Sequence, residues 1–213
     1  MKKLSPMFWG VLLIVVGALA LLQTLGIVNL ALTVLWALVF AAGGGAFLYV
    51  YGANRAHWWA LIPGMTLLAI AVVVLLSATA PEAEEAWGGT VVVGAIALSF
   101  FAIYGARREF WWALIPGGVM VSVALTTLVE ALGAPIDVGF IVLLGIGVTF
   151  LLLSFIRTQE GERLRWALIP GAIMTLIGFV VAAEQVALVQ YVVPAALVAL
   201  GLYFVLRSVR VGE

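Results

Sequence analysis

Residues able to do chemistry are few in this chain and unevenly placed. His57 is its only histidine and stands between Arg55 and the Trp58-Trp59 pair. One imidazole cannot build a multi-histidine metal site within a single chain, so His57 reads as an interfacial residue facing headgroups. Glu82, Glu84 and Glu85 fall in what the hydropathy pattern makes the longest outer loop. Carboxylates this close together could gather a divalent cation or meet a basic partner, and a solvated acidic loop is the plainer reading. Gly43-Gly44-Gly45 lacks the lysine and the hydroxyl residue of a phosphate-cradling loop, and inside an apolar stretch it reads as packing or a flexible point. Paired tryptophans can hold a quaternary ammonium ion, which gives Trp58-Trp59 and Trp111-Trp112 one chemical alternative to membrane anchoring. With no cysteine there is no thiolate chemistry, no disulfide framework and no Cys-based zinc site.

Enzymes that work inside a membrane need convergent ionisable or metal-binding groups, and a proton-coupled carrier needs a charge within the hydrocarbon. The central portions of the predicted spans hold no Asp, Glu, Lys, Arg or His. That counts against pumps, ion-coupled carriers and intramembrane proteases. No catalytic, cofactor-binding or metal-binding residue is assigned, and no cofactor is expected. The polar residues left within spans include Thr66, Ser122, Thr126, Thr127, Thr149, Ser154 and Thr175. Their hydroxyls can bond back to their own helix, and they would serve a solute path only if they shared one continuous face.

The elements that must carry these residues are membrane helices. Of 213 residues, 66% are hydrophobic and 9% charged, with a mean hydropathy of +1.27, so a water-soluble core could not hide this much apolar surface. The formal net charge is zero and no basic tract stands apart from the span flanks, which argues against nucleic-acid binding. Met7 to Leu25, following Met1-Lys2-Lys3, is read as the first span rather than a cleaved leader, because its apolar run is too long for one.

One phrase recurs. Trp58-Trp59-Ala60-Leu61-Ile62-Pro63-Gly64 returns as Trp111-Trp112-Ala113-Leu114-Ile115-Pro116-Gly117 and as Arg165-Trp166-Ala167-Leu168-Ile169-Pro170-Gly171. Gly64 to Gly117 is 53 positions and Gly117 to Gly171 is 54, and a further step back of 54 lands on Gly10, preceded by Phe8-Trp9. Such a period fits two helices with short loops. The expected fold is therefore all-α and polytopic, a single transmembrane domain over 1–213 with repeat units near 1–55, 56–108, 109–160 and 161–213. Eight spans are expected near 7–25, 31–52, 60–79, 87–105, 112–131, 137–156, 167–183 and 188–207. Seven residues beyond Gly10, Gly64, Gly117 and Gly171 lie Gly17, Ala71, Ala124 and Gly178, so each odd-numbered span carries a small-residue stripe that lets helices approach closely. The even spans carry the pairs Ala41/Gly45, Ala95/Ser99, Gly145/Thr149 and Ala195/Ala199, read as tight packing or as specific dimerisation. Pro63, Pro116 and Pro170 either sit in the first turn of their helices or kink them just inside the interface.

Orientation follows from the basic residues. With eight spans, Lys2, Lys3, Arg55, Arg107, Arg108, Arg157, Arg163, Arg165, Arg207 and Arg210 all fall on one side. Glu82, Glu84, Glu85, Glu130, Asp137 and Glu184 lie on the other. Basic residues in short loops are retained in the cytoplasm, so both termini are expected there. Trp9, Trp58, Trp59, Trp111, Trp112 and Trp166 then gather at the cytoplasmic interface as anchors.

The first unit, Phe8-Trp9-Gly10-Val11-Leu12-Leu13-Ile14-Val15-Val16-Gly17 and onward to Leu25-Gly26-Ile27, resembles the small membrane domain of LiaF-type cell-envelope stress-response proteins. The later units look like the HdeD family of acid-resistance membrane proteins, which also has tandem two-helix units opening on paired tryptophans. Together the resemblances imply a bacterial inner-membrane protein with a stress-related role, and they carry over no catalytic residue. The soluble C-terminal domain of the LiaF-type proteins has no counterpart here. By elimination the expected role is non-enzymatic: a structural, stress-related or assembly component that binds membrane lipids, another membrane subunit or further copies of itself. The alternative is a channel or facilitator for a small neutral solute, because four parallel units could close into a pseudo-fourfold ring.

Overall fold

The computed structural model describes residues 30–133, 137–158 and 161–185, together with the single positions 10, 13, 14, 17, 21, 197, 198 and 201. Apart from those single positions, the expected spans 7–25 and 188–207 lie outside the described residues, as do Trp9, the Ala195/Ala199 pair and the basic residues of both termini. Among the described residues the fold is six α-helices with no strand: α1 (Leu30–Ala53), α2 (Leu61–Thr79), α3 (Pro81–Ala106), α4 (Leu114–Ala131), α5 (Gly139–Phe155) and α6 (Leu168–Glu184). A single 3-10 turn precedes three of them, Trp58–Ala60 before α2, Trp111–Ala113 before α4 and Arg165–Ala167 before α6.

Counted with those turns, five helices are long and apolar enough to cross a membrane, and the fifth in chain order, α5, is apolar but only 17 residues long. At about 1.5 Å per residue it reaches about 25 Å, short of a hydrocarbon core of about 30 Å. The sequence pattern puts this span at 137–156. The helix is trimmed at both ends because the Asp137 carboxylate accepts the Gly139 N–H in a local turn and Ile156 is extended. Large apolar side chains face outward on every helix, among them Tyr49, Val72, Leu98, Leu125, Leu152 and Ile169. A helix that is apolar on its outer face needs an apolar solvent, the pattern of a multi-pass membrane protein.

Two compact units divide the chain, Met1–Gly88 and Gly89–Glu213, with the break inside α3. In the first, α1 and α2 pair antiparallel through glycines. A Cβ on Gly44 would lie 2.9 Å from the Gly64 carbonyl oxygen, and one on Gly64 would lie 2.8 Å from the Leu48 side chain. Ala80 alone joins α2 to α3, its N–H bonded to the Leu76 carbonyl at 2.7 Å. The loop expected to hold Glu82, Glu84 and Glu85 is therefore the start of α3, with Glu82 and Glu84 in its first turn. Pro81 presets the first helical position, where no donor is needed, and carboxylates there meet the positive end of the helix dipole.

In the second unit α3, α4, α5 and α6 run alternately up and down. Gly117 abuts Phe100 and Phe101, Gly118 abuts Thr149, and Gly145 abuts Ser122. A Cβ on Gly171 or Gly178 of α6 would come within 2.9 Å of a backbone nitrogen of α5, that of Leu151 or Leu144 respectively, so neither position accepts a larger residue without a shift of the helices. This alternation sets Arg107, Arg108, Arg157, Arg163 and Arg165 at one end of the unit and Glu130, Asp137 and Glu184 at the other.

Candidate functional site

The three copies of the repeated phrase fold alike. In each, the residue before the phrase leaves the helical region, with φ/ψ of −85°/48° at His57, −85°/47° at Phe110 and −75°/55° at Leu164. Its carbonyl then accepts the N–H of the phrase alanine at 3.0 Å, from Ala60, Ala113 and Ala167 in turn. Each alanine is 0% exposed. Pro63, Pro116 and Pro170 are each the third residue of their α-helix, inside the first turn, where an N–H has no intrahelical partner to lose.

Aromatic rings brace the turns from the preceding helix. Phe47 meets Trp59 at 6.0 Å, Phe100 meets Trp112 at 6.4 Å and Phe150 meets Trp166 at 6.0 Å, all T-shaped. Trp111 and Trp166 meet at 6.5 Å, which brings the second and third turns together. Trp59 and Trp166 are about half exposed, Trp58, Trp111 and Trp112 less so. The His57 ring lies 6.5 Å from Trp59, exposed.

The basic residues differ from turn to turn. Four residues separate α1 from Trp58 and four separate α3 from Trp111. In these tight turns Arg55 lies over the Tyr51 ring at 4.5 Å and Arg108 over the Tyr104 ring at 4.6 Å, each one helical turn back. Arg107 lies 5.9 Å from the Phe110 ring and 3.4 Å from Glu109. Nine residues separate α5 from Arg165, and the described ones among them pair as two short antiparallel arms. Arg157 and Arg163 face each other across an antiparallel bridge, Thr158 donates its N–H to the Glu162 carbonyl at 2.9 Å, and Gly161 turns the chain at φ +81°. Leu164 joins Leu153 and Ala167 in a buried cluster, with Trp111, Phe150 and Ile156 packed against it. Arg157, Gly161, Glu162, Arg163 and Arg165 line a concave pocket of about 600 Å³.

Small residues lie where helices meet, with two differences from the spacing pattern. Gly64, Ala71, Gly117, Gly171 and Gly178 are buried and Ala124 is half-buried, whereas a Cβ on Gly10 or Gly17 would meet nothing within 4 Å among the described residues. On α1 the close contact is made by Gly44, and Gly45 of the expected Ala41/Gly45 pair faces open space, since one residue along a helix turns the face by about 100°. Residue type alone does not single out the phrase alanines, although their identical place in all three copies is the signal that marks them. The hairpin arginines are visible in the sequence as charges but not as a cluster.

Among the described residues no three His, Asp or Glu side chains gather as a metal site. The span hydroxyls bond back to their own helices: Thr66 to the Ile62 carbonyl, Ser122 to Gly118 and Val119, Thr149 to Gly145, Ser154 to Leu151 and Thr175 to Gly171, at 2.6–3.0 Å. Thr90 and Thr127 also pair between α3 and α4 at 2.8 Å. An outward groove of about 430 Å³ beside α4 and α5 is lined almost wholly by apolar side chains such as Leu125, Leu144, Val148 and Leu152. Comparison with protein-family models, with curated proteins and with solved structures finds no match to this chain.

Proposed function

We propose that the protein is a non-enzymatic component of a bacterial inner membrane, a structural or assembly element that binds lipid, another membrane subunit or a second copy of itself. Its four tandem two-helix units span the bilayer eight times and keep both termini in the cytoplasm. A stress-related role is part of this proposal and rests on the resemblance of the first unit to the LiaF-type domain and of the later units to the HdeD family.

One observation carries the reading. Charged side chains are confined to the ends of the six helices and to their connections, while helix faces meet through glycine and bare backbone. Helices joined this way are held by close van der Waals packing, which suits a scaffold in lipid. The hydroxyls that a facilitator would turn toward a solute instead satisfy their own helix carbonyls, so the facilitator reading has no observation of its own.

Gentle extraction from native membrane, followed by mass spectrometry of what remains bound, tests the proposal. Co-purifying lipid with a stoichiometric membrane subunit or a homo-oligomer is the expected result. A monomer that turns over a substrate sinks it. Reporter fusions after Arg55 and Arg108 test the topology separately, and an extracytoplasmic signal from either breaks both span count and orientation.

A further inference from the structure

Three arginines fall within nine residues at the third turn and line one pocket. The bridge sets Arg157 opposite Arg163, Gly161 precedes the second arm at φ +81°, and Arg165 opens the 3-10 turn that follows. Like charges opposite each other across a bridged pair are destabilising. The first two turns relieve their arginines with a tyrosine face or a carboxylate. Among the described residues no aromatic ring or carboxylate is paired with Arg157, Arg163 or Arg165, although Glu162 shares their pocket. An anion between the guanidiniums would convert the repulsion into attraction, and the arginine fork matches phosphate oxygens in pairs.

The surroundings specify what carries the phosphate. Phe155, two residues before Arg157, is 70% exposed, and Ile169, one helical turn after Arg165, is 69% exposed. Trp166 between them is half exposed, with the amphipathic ring that sits at headgroup depth. A cationic pocket that continues into bare apolar surface fits an amphiphile. We propose that Arg157, Arg163 and Arg165 bind the headgroup phosphate of an anionic phospholipid, whose acyl chains lie along Phe155 and Ile169. This rests on the membrane reading given above and adds a site, a charge preference and a lipid class to it.

The test uses the full-length protein in neutral detergent, titrated with equimolar phosphatidylglycerol and phosphatidylcholine and read by native mass spectrometry. The wild type is expected to retain phosphatidylglycerol in preference by about fivefold or more, and about 0.5 M salt should erode that preference. Replacing all three arginines (Arg157→Gln, Arg163→Gln and Arg165→Gln) should bring the ratio to about parity, while Arg107→Gln with Arg108→Gln leaves it in place. A preference that survives the triple change, or is lost equally in the double one, overturns the site. If the glutamine variant fails to fold, the corresponding triple lysine variant replaces it: partial loss supports a guanidinium fork, and no change overturns it. Inorganic phosphate that displaces the lipid completely when equimolar with it and at unchanged ionic strength overturns the lipid in favour of free phosphate. Failure of the membrane reading is separate, because the wild-type protein would then not insert into phosphatidylglycerol vesicles at all.

Discussion

The second and third basic turns lead into the same phrase and stand side by side, yet they are built differently. The second is four residues long and its charges are settled locally, Arg108 on Tyr104 and Arg107 beside Glu109. The third is nine residues long, follows a shorter helix and brings three arginines to the lining of one pocket. The repeat period changes by one residue between them, from 53 to 54. The extra loop is drawn from α5, which is 17 residues against 26 for α3. Even the bracing ring moves: a step of 54 from Phe100 gives Ser154, while the ring that meets Trp166 belongs to Phe150, one helical turn earlier. A repeat can thus hold its helix-starting phrase fixed and vary the connection in front of it, and the connection is where a specific ligand preference can arise.

What the turns share should be the most costly thing to break. Ala60, Ala113 and Ala167 are each enclosed completely, so Ala→Leu at any of them forces an extra branched side chain into closed space. The expected loss is about 3 kcal/mol at each position, the upper part of the usual overpacking range. Unfolding of the detergent-solubilised protein by a denaturing detergent measures it. Similar losses at all three positions support one architecture used three times; a loss at Ala167 alone makes the third turn a different structure that happens to share a phrase.

What separates the turns should be cheaper to break. Gly161 holds φ +81°, a region that costs a residue with a side chain about 1–2 kcal/mol, and the first two turns contain no positive-φ residue. Gly161→Ala is therefore expected to lower stability by about 1 kcal/mol. Ala56→Gly, the reverse exchange in the first turn, should have a smaller effect because that residue is exposed. Thermal unfolding in one detergent compares the two. Equal shifts would mean that the hairpin does not depend on its glycine.

Much of this architecture is legible in the sequence, and the parts that are not share a cause. Apolar run length locates α1, α2, α4 and α6 to within about two residues, because in lipid the length of a span is itself the signal. It places the start of α3 six residues late, since Glu82, Glu84 and Glu85 lower the local hydropathy. Their helical state is favoured by Pro81 and the helix dipole, to which hydropathy is blind. The identity of the packing glycine on α1 is legible only to the nearest residue, because Gly43, Gly44 and Gly45 are adjacent and only the partner helix chooses among them. The arginine pocket lies hidden for a different reason. Arg157, Arg163 and Arg165 read as three loop charges, and only a bridge set by backbone geometry makes neighbours of the first two.

The smallest effect tests the first two turns from their own side. Arg55 and Arg108 each lie over a tyrosine four residues earlier, at exposed or partly exposed positions, where such contacts are worth about 0.5–1 kcal/mol. Tyr51→Leu and Tyr104→Leu keep the apolar bulk and remove the ring face, so each is expected to cost no more than that. The more telling readout is lipid preference. Freed from its ring, Arg55 or Arg108 becomes available to anions as the hairpin arginines are, and the variants should retain more phosphatidylglycerol than the wild type in the native mass spectrum. If they do not, stacking on tyrosine is not what distinguishes the two kinds of turn, and the distinction falls to the convergence of three arginines in one pocket.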